Sequence, residues 1–458
     1  MSAATPGGAG GGSNGLRATL SGLTTRGRSF LAAGAAASAC AFVLGQHALL
    51  QVGLLVAVLP LICVYALHRT RYRVSGSRRL TPMRVPAGAE ARVQLRMDNV
   101  SRLPTGLLML QDRVPYVLGP RPRFVLDRVE PGGRREVSYR VRSDLRGRYP
   151  LGPLQLRLTD PFGLVELTRS FSTYDTLTVI PHTEPLPPVK LTGESNGYGE
   201  GNQRSLALAG DDDVIPRGYR YGDDLRRVHW RSTARYGELM VRREEQPQRA
   251  RATVLLDTRR VAYEGAGPDS AFEWAVSGAA SVLLHLLGRG FSVRLLTDTG
   301  STVGGEAAGG FTAGGFSAGG QESAEAAGLM LDTLAVVGHS DGAGLSRAHD
   351  AVRGGNEGLL IAFFGGLDDV QADMAAKLRR RGGGGVAFVL DPAAWGGRAP
   401  ADAAVAPAAE RLRRLREAGW TVLAVPPGAS LAQLWRQAGS AGTAAGMPQA
   451  HGTSGGRP

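Results

Sequence analysis

Residues 29–67 read SFLAAGAAASACAFVLGQHALLQVGLLVAVLPLICVYAL, and neither Ser29–Gly45 nor Ala48–Leu67 holds an Asp, Glu, Lys or Arg. Each run is about as long as a helix needs to cross a bilayer. Only Gln46 and His47 separate them, so the spacing predicts a tight transmembrane helical hairpin over 29–67, with both chain ends on one side. Pro60 in the second run reads as a kink that a partner helix tolerates. Arg17, Arg26 and Arg28 precede the first run, and six arginines with no acid follow the second between Arg69 and Arg84. The positive-inside rule makes that side cytoplasmic, which predicts a multi-pass protein of the inner (plasma) membrane with both termini in the cytoplasm. A cleaved signal peptide is the competing reading of the first run, and the second run argues against it.

Outward from the hairpin, 458 residues are too many for one ordinary core, so two further domains are expected. The 65 glycines concentrate in Gly7–Gly15, Gly300–Gly320 and the tail after Gly439. Short of large apolar residues, such stretches cannot offset their ordering entropy. They are read as a disordered leader (1–28), a loose insertion (299–322) and a disordered tail (439–458). The net charge of +13 suits an anionic membrane surface as well as nucleic acid. Its concentration beside the apolar runs favours the lipid bilayer, and no nucleic acid is expected as a partner. The two cysteines, Cys40 and Cys63, lie inside the apolar runs, which leaves no disulfide framework and no cysteine-based zinc site.

Over 72–185 the period becomes two. Val93, Leu95 and Met97 alternate with polar neighbours, as do Val137, Tyr139 and Val141, and then Leu154, Leu156 and Leu158. Pro131-Gly132-Gly133 and Gly147 fence these runs, so a small antiparallel, sandwich-like β domain without an active site is predicted. Asp160-Pro161-Phe162-Gly163-Leu164 reads as a turn with Phe162 and Leu164 packed inward.

Residues 186–250 form a linker that carries a dense motif. Pro216–Glu245 reads PRGYRYGDDLRRVHWRSTARYGELMVRREE, and crowds together Arg217, Tyr219, Tyr221, Gly222, Asp223, Asp224, Arg226, Arg227, Trp230 and Arg235. Arginine forms bidentate pairs with carboxylates, so Asp223 and Asp224 are expected to pair with Arg217, Arg227 or Arg235, with Trp230 as an apolar anchor. A structural clasp between domains and a partner-binding surface are both open readings of this motif.

With Asp160–Leu164 and Val179-Ile180-Pro181, this motif closely resembles domain-of-unknown-function family 58. The resemblance spans about Leu151 to Val425, and the order of its motifs is specific. His229 stands where Asp is common in the family, which puts any charge role there in doubt. The resemblance implies a von Willebrand A-like domain after the motif, frequent membrane anchoring, and partnership with MoxR-type AAA+ ATPases in assembly or in the cell envelope. It implies no enzymatic activity.

Over 251–438 short apolar strands, at Thr253–Asp257, Ser292–Leu296, Leu359–Phe364, Val386–Leu390 and Thr421–Val425, alternate with amphipathic segments. That is the pattern of a doubly wound parallel sheet. Ligands in such sheets sit beyond the carboxyl ends of strands, which directs attention to Asp257 and Thr258. Metal-binding von Willebrand A domains carry Asp-x-Ser-x-Ser there, because a hard cation wants a carboxylate and hydroxyls from one loop. This chain has Asp257-Thr258-Arg259-Arg260-Val261, a degenerate version whose arginines would repel a cation, and Phe364-Gly365-Gly366 replaces the later Thr-Asp-Gly. Asp368 and Asp369 are the nearest substitutes.

There is no Walker-type phosphate loop, and His182, His229, His285, His339 and His349 lack metal-ligand spacing. No catalytic residue and no cofactor is expected. The expectation is a membrane-anchored α/β protein acting as a non-catalytic adaptor for a MoxR-type AAA+ ATPase or an envelope protein. A nucleic-acid-binding membrane protein and a metal-dependent von Willebrand A-type binding domain are the alternatives, and the sequence leaves the oligomeric state open.

Overall fold

The computed structural model describes residues 22–71, 74–100, 102, 104–105, 107–127, 129–160, 162–191, 216–219, 228, 230–242, 250–304, 319–353, 358–379, 383–397 and 402–444. They fall into two compact units, divided between Ile180 and Pro181.

The first unit opens with helices α1 (Thr25–Leu44) and α2 (His47–Arg71), both long and apolar enough to cross a membrane. Gly45 closes α1 at φ 71°, a left-handed cap that turns the chain back directly into α2. The helices cross on small residues. A Cβ on Gly34 would lie 2.5 Å from the Ala57 nitrogen, and one on Gly53 would lie 2.7 Å from Ser38 Oγ. Gly34→Leu is therefore expected to force the helices apart and lower stability by about 1–3 kcal/mol through overpacking. Thermal aggregation of the full chain in detergent measures this, and an unchanged midpoint would contradict the close crossing.

The chain then forms β1 (Val74–Thr81), β2 (Arg84–Pro86), β3 (Glu90–Asn99), β4 (Leu108–Asp112) and β5 (Arg123–Leu126). It continues with β6 (Arg134–Arg142), β7 (Gly147–Leu151), β8 (Leu154–Thr159), β9 (Glu166–Phe171) and β10 (Asp175–Ile180). One antiparallel sheet has the order β1-β3-β6 and another β5-β4-β8-β9, while β10 joins β7 antiparallel and β2 parallel. The alternating residues Val93, Leu95, Met97, Leu154, Leu156 and Leu158 are buried in one apolar core. That core also takes in Leu23, Cys63 and Leu67, so the base of the helical hairpin belongs to it.

Residues 22–28 differ from the disordered leader expected from composition. Leu23 bridges Val165, Thr24 N donates to Leu164 O at 2.9 Å, and Thr24 Oγ1 donates to Gly163 O at 2.8 Å. Residues 1–21 lie outside the described residues. Phe162 is a second difference, because it is 61% exposed while Leu164 is buried. The turn's own hydrogen bonds explain it: Asp160 accepts from Phe162 N at 3.1 Å and from Val165 N at 2.6 Å, which points one apolar side chain in and the other out.

The second unit begins with a strap. Leu186 and Leu191 pack into the α/β core, Glu184 N donates to Ser281 Oγ at 2.9 Å, and Trp435 Nε1 donates to Pro187 O at 3.1 Å. Residues 181–191 thus join the α/β unit, whereas the sequence placed them in the β domain and the linker. After β11 (Pro216–Gly218), α3 (Trp230–Tyr236) and β12 (Met240–Arg242) come β13 (Arg251–Leu256), α4 (Ala271–Gly288), β14 (Ser292–Thr297) and β15 (Thr302–Gly304). Then follow α5 (Gly319–Val336), α6 (Ser346–Arg353), β16 (Leu359–Phe364), α7 (Asp369–Leu378) and β17 (Gly384–Leu390). The chain ends in α8 (Pro392–Trp395), α9 (Asp402–Glu417), β18 (Thr421–Val425) and α10 (Leu431–Ala444). The last helix runs past 438 into the expected tail, since Gly439 sits close against Val189 of the strap. β15 and the start of α5 likewise take up both ends of the expected insertion, whose residues 305–318 lie outside the described residues.

The six-stranded sheet has the order β15-β14-β13-β16-β17-β18, parallel except for the edge strand β15. Val254 and Leu256 face one core with α4, α5 and α10, and Leu255 faces another with α6, α7 and α9. Helix α4 is apolar enough to cross a membrane, yet Phe272, Ala275, Val276, Ala279 and Leu283 bury it against the sheet. Ser270 accepts from Glu273 N at its start, a Ser-x-x-Glu N-cap.

Candidate functional site

Counted along the chain, the sheet order is 3-2-1-4-5-6, and the strand order reverses beside the first strand, β13. The residues after β13 and β16 meet at that point. Asp257 N donates to Phe363 O at 2.9 Å, and Gly366 N donates to Ala262 O at 2.7 Å. A side chain on Gly365 would strike the Ala262 carbonyl, which lies 2.3 Å from its Cβ position, so this approach requires glycine.

Here Arg259 folds back onto Asp257. Its Nε donates to Oδ1 at 2.9 Å and its Nη2 to Oδ2 at 2.8 Å, a bidentate pair buried at 2% and 0% side-chain exposure. The backbone amides of Arg259 and Gly365 also donate to the Asp257 carboxylate, at 3.1 and 3.3 Å. Both oxygens are therefore saturated from within the chain. Burial pushes the Asp257 carboxyl upward, against the Arg259 guanidinium that favours its ionised form. Burial opposes the Arg259 charge in turn, but its bonds to Asp257 outweigh that and leave its pKa above the ordinary arginine value. Tyr263 Oη donates to Asp257 O at 2.8 Å, and burial holds that phenol well above its usual range, so it stays a donor.

A second carboxylate stands at the tip of the neighbouring strand. Asp298 accepts from Thr258 N at 2.8 Å, from the Thr258 hydroxyl, and from Ser340 Oγ at 2.6 Å. Thr258 thus spends its hydroxyl on a protein carboxylate. Asp368 caps α7 through Gln371 N, and Asp369 pairs with Arg411 at 3.1 Å, which engages both substitute ligands elsewhere. Among the described residues no group of three or more His, Cys, Asp or Glu is placed to hold a metal ion. This arrangement locks two strand tips together. Sequence reasoning singled out Asp257 and Thr258 and missed Arg259, Asp298, Ser340 and Tyr263 as their partners. The one signal available was Thr297-Asp298-Thr299-Gly300, a turn at a strand tip.

The Arg/Asp/Trp motif is described in part. Arg217 lies in β11, which pairs antiparallel with β12, and Val228 bridges Val241. Tyr219 N donates to Leu239 O at 2.7 Å, and Met240 N donates to Thr233 Oγ1 at 3.0 Å, so strand and helix brace each other. Tyr221, Gly222, Asp223, Asp224, Arg226 and Arg227 lie outside the described residues. Trp230, the expected apolar anchor of the motif, is 71% exposed. Tyr236 is 64% exposed, and Arg235 is exposed beside it.

Solved structures resemble this chain only weakly. The CARDB domain of the PF1109 protein from Pyrococcus furiosus is 12% identical, with a TM-score of 0.18 over 23% of this chain and 89% of that one. The putative ApaA protein from Bordetella pertussis is 12% identical, with a TM-score of 0.18 over 23% of this chain and 91% of that one. Spo0M, a sporulation control protein of Bacillus subtilis, is 13% identical, with a TM-score of 0.16 over 24% of this chain and 50% of that one. At such scores no argument transfers. No curated protein matches the chain. From the motif at Pro216 through Asp257 to Gly304, residues 216–304 match the family described as Protein of unknown function DUF58.

Proposed function

We propose that this chain is a membrane-tethered, non-catalytic adaptor whose α/β unit docks a MoxR-type AAA+ ATPase or an envelope protein. The carrying observation is the exposure of Trp230, together with Tyr236, on the family motif. Water-exposed indole is unfavourable for a lone chain and is the side chain most enriched at binding hot spots. The hydrogen-bonded bracing of β11, α3 and β12 fits a rigid platform for it. The 3-2-1-4-5-6 order with an antiparallel edge strand supports a von Willebrand A-like reading, and the saturated Asp257 carboxylate supports a version that works without a metal. Two apolar helices flanked by arginines support a plasma-membrane anchor with both ends in the cytoplasm.

Co-purification of the full chain from its native membranes in detergent is the test. An AAA+ ATPase should be enriched over an anchor-only control, and Trp230→Ala should weaken the interaction by about 30-fold, the equivalent of a hot spot of about 2 kcal/mol. If no ATPase or envelope protein is enriched, the adaptor reading fails. If Trp230→Ala binds as the parent does, docking is elsewhere.

A further inference from the structure

The turn at Asp160–Val165 is stitched to the start of α1 by four contacts: the Leu23–Val165 bridge, the two Thr24 bonds already described, and Glu166 N donating to Gly22 O at 2.7 Å. Gly27 presses on the same turn, and a Cβ there would lie 2.2 Å from Leu164 O. The β unit is therefore fixed in height on the helices. From Gly27 to Leu44 the helix rises about 26 Å at about 1.5 Å per residue. A hydrocarbon core is about 30 Å thick, so a hairpin whose tip reaches the far interface holds this turn at the near one. On α2 the last turns agree: Pro60, Cys63 and Leu67 are buried while Leu61, Ile62 and Tyr65 on the opposite side are exposed.

Phe162 projects from the turn at that height. Leu107, whose carbonyl accepts from Thr159 N at 3.3 Å at the end of β8, is exposed as well. Arg26 reaches within 4.0 Å of the Cβ position of Gly163, and Arg28, two residues on and about 200° around the helix, is exposed at the same end of α1. The local acids are engaged, Asp160 by the amides of Phe162 and Val165 and Glu166 by Arg157 at 2.8 Å. An exposed aromatic close to an arginine that has no carboxylate partner among the described residues is the composition of a membrane interface.

We propose that the Asp160–Val165 turn is a membrane-contact element, with Phe162 seated in the headgroup layer and Arg26 and Arg28 holding anionic phospholipid. This rests on the reading of α1 and α2 as membrane-spanning. The β unit is then docked on the bilayer surface by its own side chains as well as by its tether.

The test places p-benzoylphenylalanine at Phe162, at Leu55 within α2, or at Tyr116, which follows the far end of β4. The full chain is reconstituted in vesicles of phosphatidylcholine and phosphatidylglycerol, and lipid adducts are read by mass spectrometry after irradiation. Adducts at 55 and 162, several-fold above those at 116 and enriched in phosphatidylglycerol at 162, are expected. Adducts at 55 with 162 no higher than 116 overturn the contact while the anchor stands. No adducts at 55 overturn the spanning hairpin and this inference with it, and equal labelling of the two lipids at 162 overturns the anionic preference.

Discussion

Asp257→Ala is expected to destabilise the α/β unit by about 3–5 kcal/mol, because it strands the Arg259 guanidinium at 2% exposure with its counter-charge gone. For a unit of this size that is a fall in melting temperature on the order of 10 °C. The loss would reach further than one pair, since Gly365 N and the Arg259 amide also end on that carboxylate. A double variant, Asp257→Asn with Arg259→Met, removes the charge and its partner together and should recover most of the loss, as replacing whole buried pairs commonly does. Thermal unfolding of the full chain in detergent reads both. Hydrogen exchange should lose protection in β13, β14 and β16 and keep it in β3 and β8. An Asp257→Ala chain that melts with the parent would show that the pair does not hold the strand tips together.

The features legible in the sequence were those written in short-range periodicity. The uncharged runs gave α1 and α2, alternation gave the buried faces of β3 and β8, and the apolar run Leu359–Phe364 gave the central strand β16. What stayed hidden depends on partners far along the chain. Gly22–Arg28 sits in a glycine-rich leader, and its order comes from a turn 139 residues away. The orientation of Phe162 is set by hydrogen bonds inside a turn, where period two has no meaning. Arg259 is the most instructive case. Read along the chain it was a charge that repels a metal, and in space it is the cation that Asp257 binds. A one-dimensional pattern shows which charges are near a carboxylate, but only the fold shows which way a guanidinium swings.

Asp112→Ala should have a comparable effect on the β unit, through a constellation that no local pattern announces. Arg78 on β1 and Asp112 on β4 form a bidentate pair at 2.9 and 2.5 Å with side-chain exposures of 1% and 0%. Tyr139 on β6 donates to the same carboxylate at 2.7 Å, and Arg78 Nη1 donates to Leu151 O at 2.8 Å. The cluster thus ties together strands of three sheets. Burial, and then the Asp112 charge, hold the Tyr139 phenol well above its usual range, so it remains a donor at any working pH. Burial works against the Arg78 charge, but Asp112 raises its pKa past the ordinary value, so the guanidinium stays charged and needs its partner. Truncating Asp112 leaves a buried cation and an unpaired phenol, a loss of about 3–5 kcal/mol. Asp175 supplies the internal comparison. It reaches Arg78 Nη1 at 3.2 Å but is 35% exposed, so Asp175→Ala should lose no more than about 1 kcal/mol. Hydrogen exchange distinguishes the two: Asp112→Ala should lose protection across β1, β4 and β6 while β13 and β16 keep theirs, and Asp175→Ala should resemble the parent. Equal effects from the two substitutions would mean that burial does not decide the strength of this network.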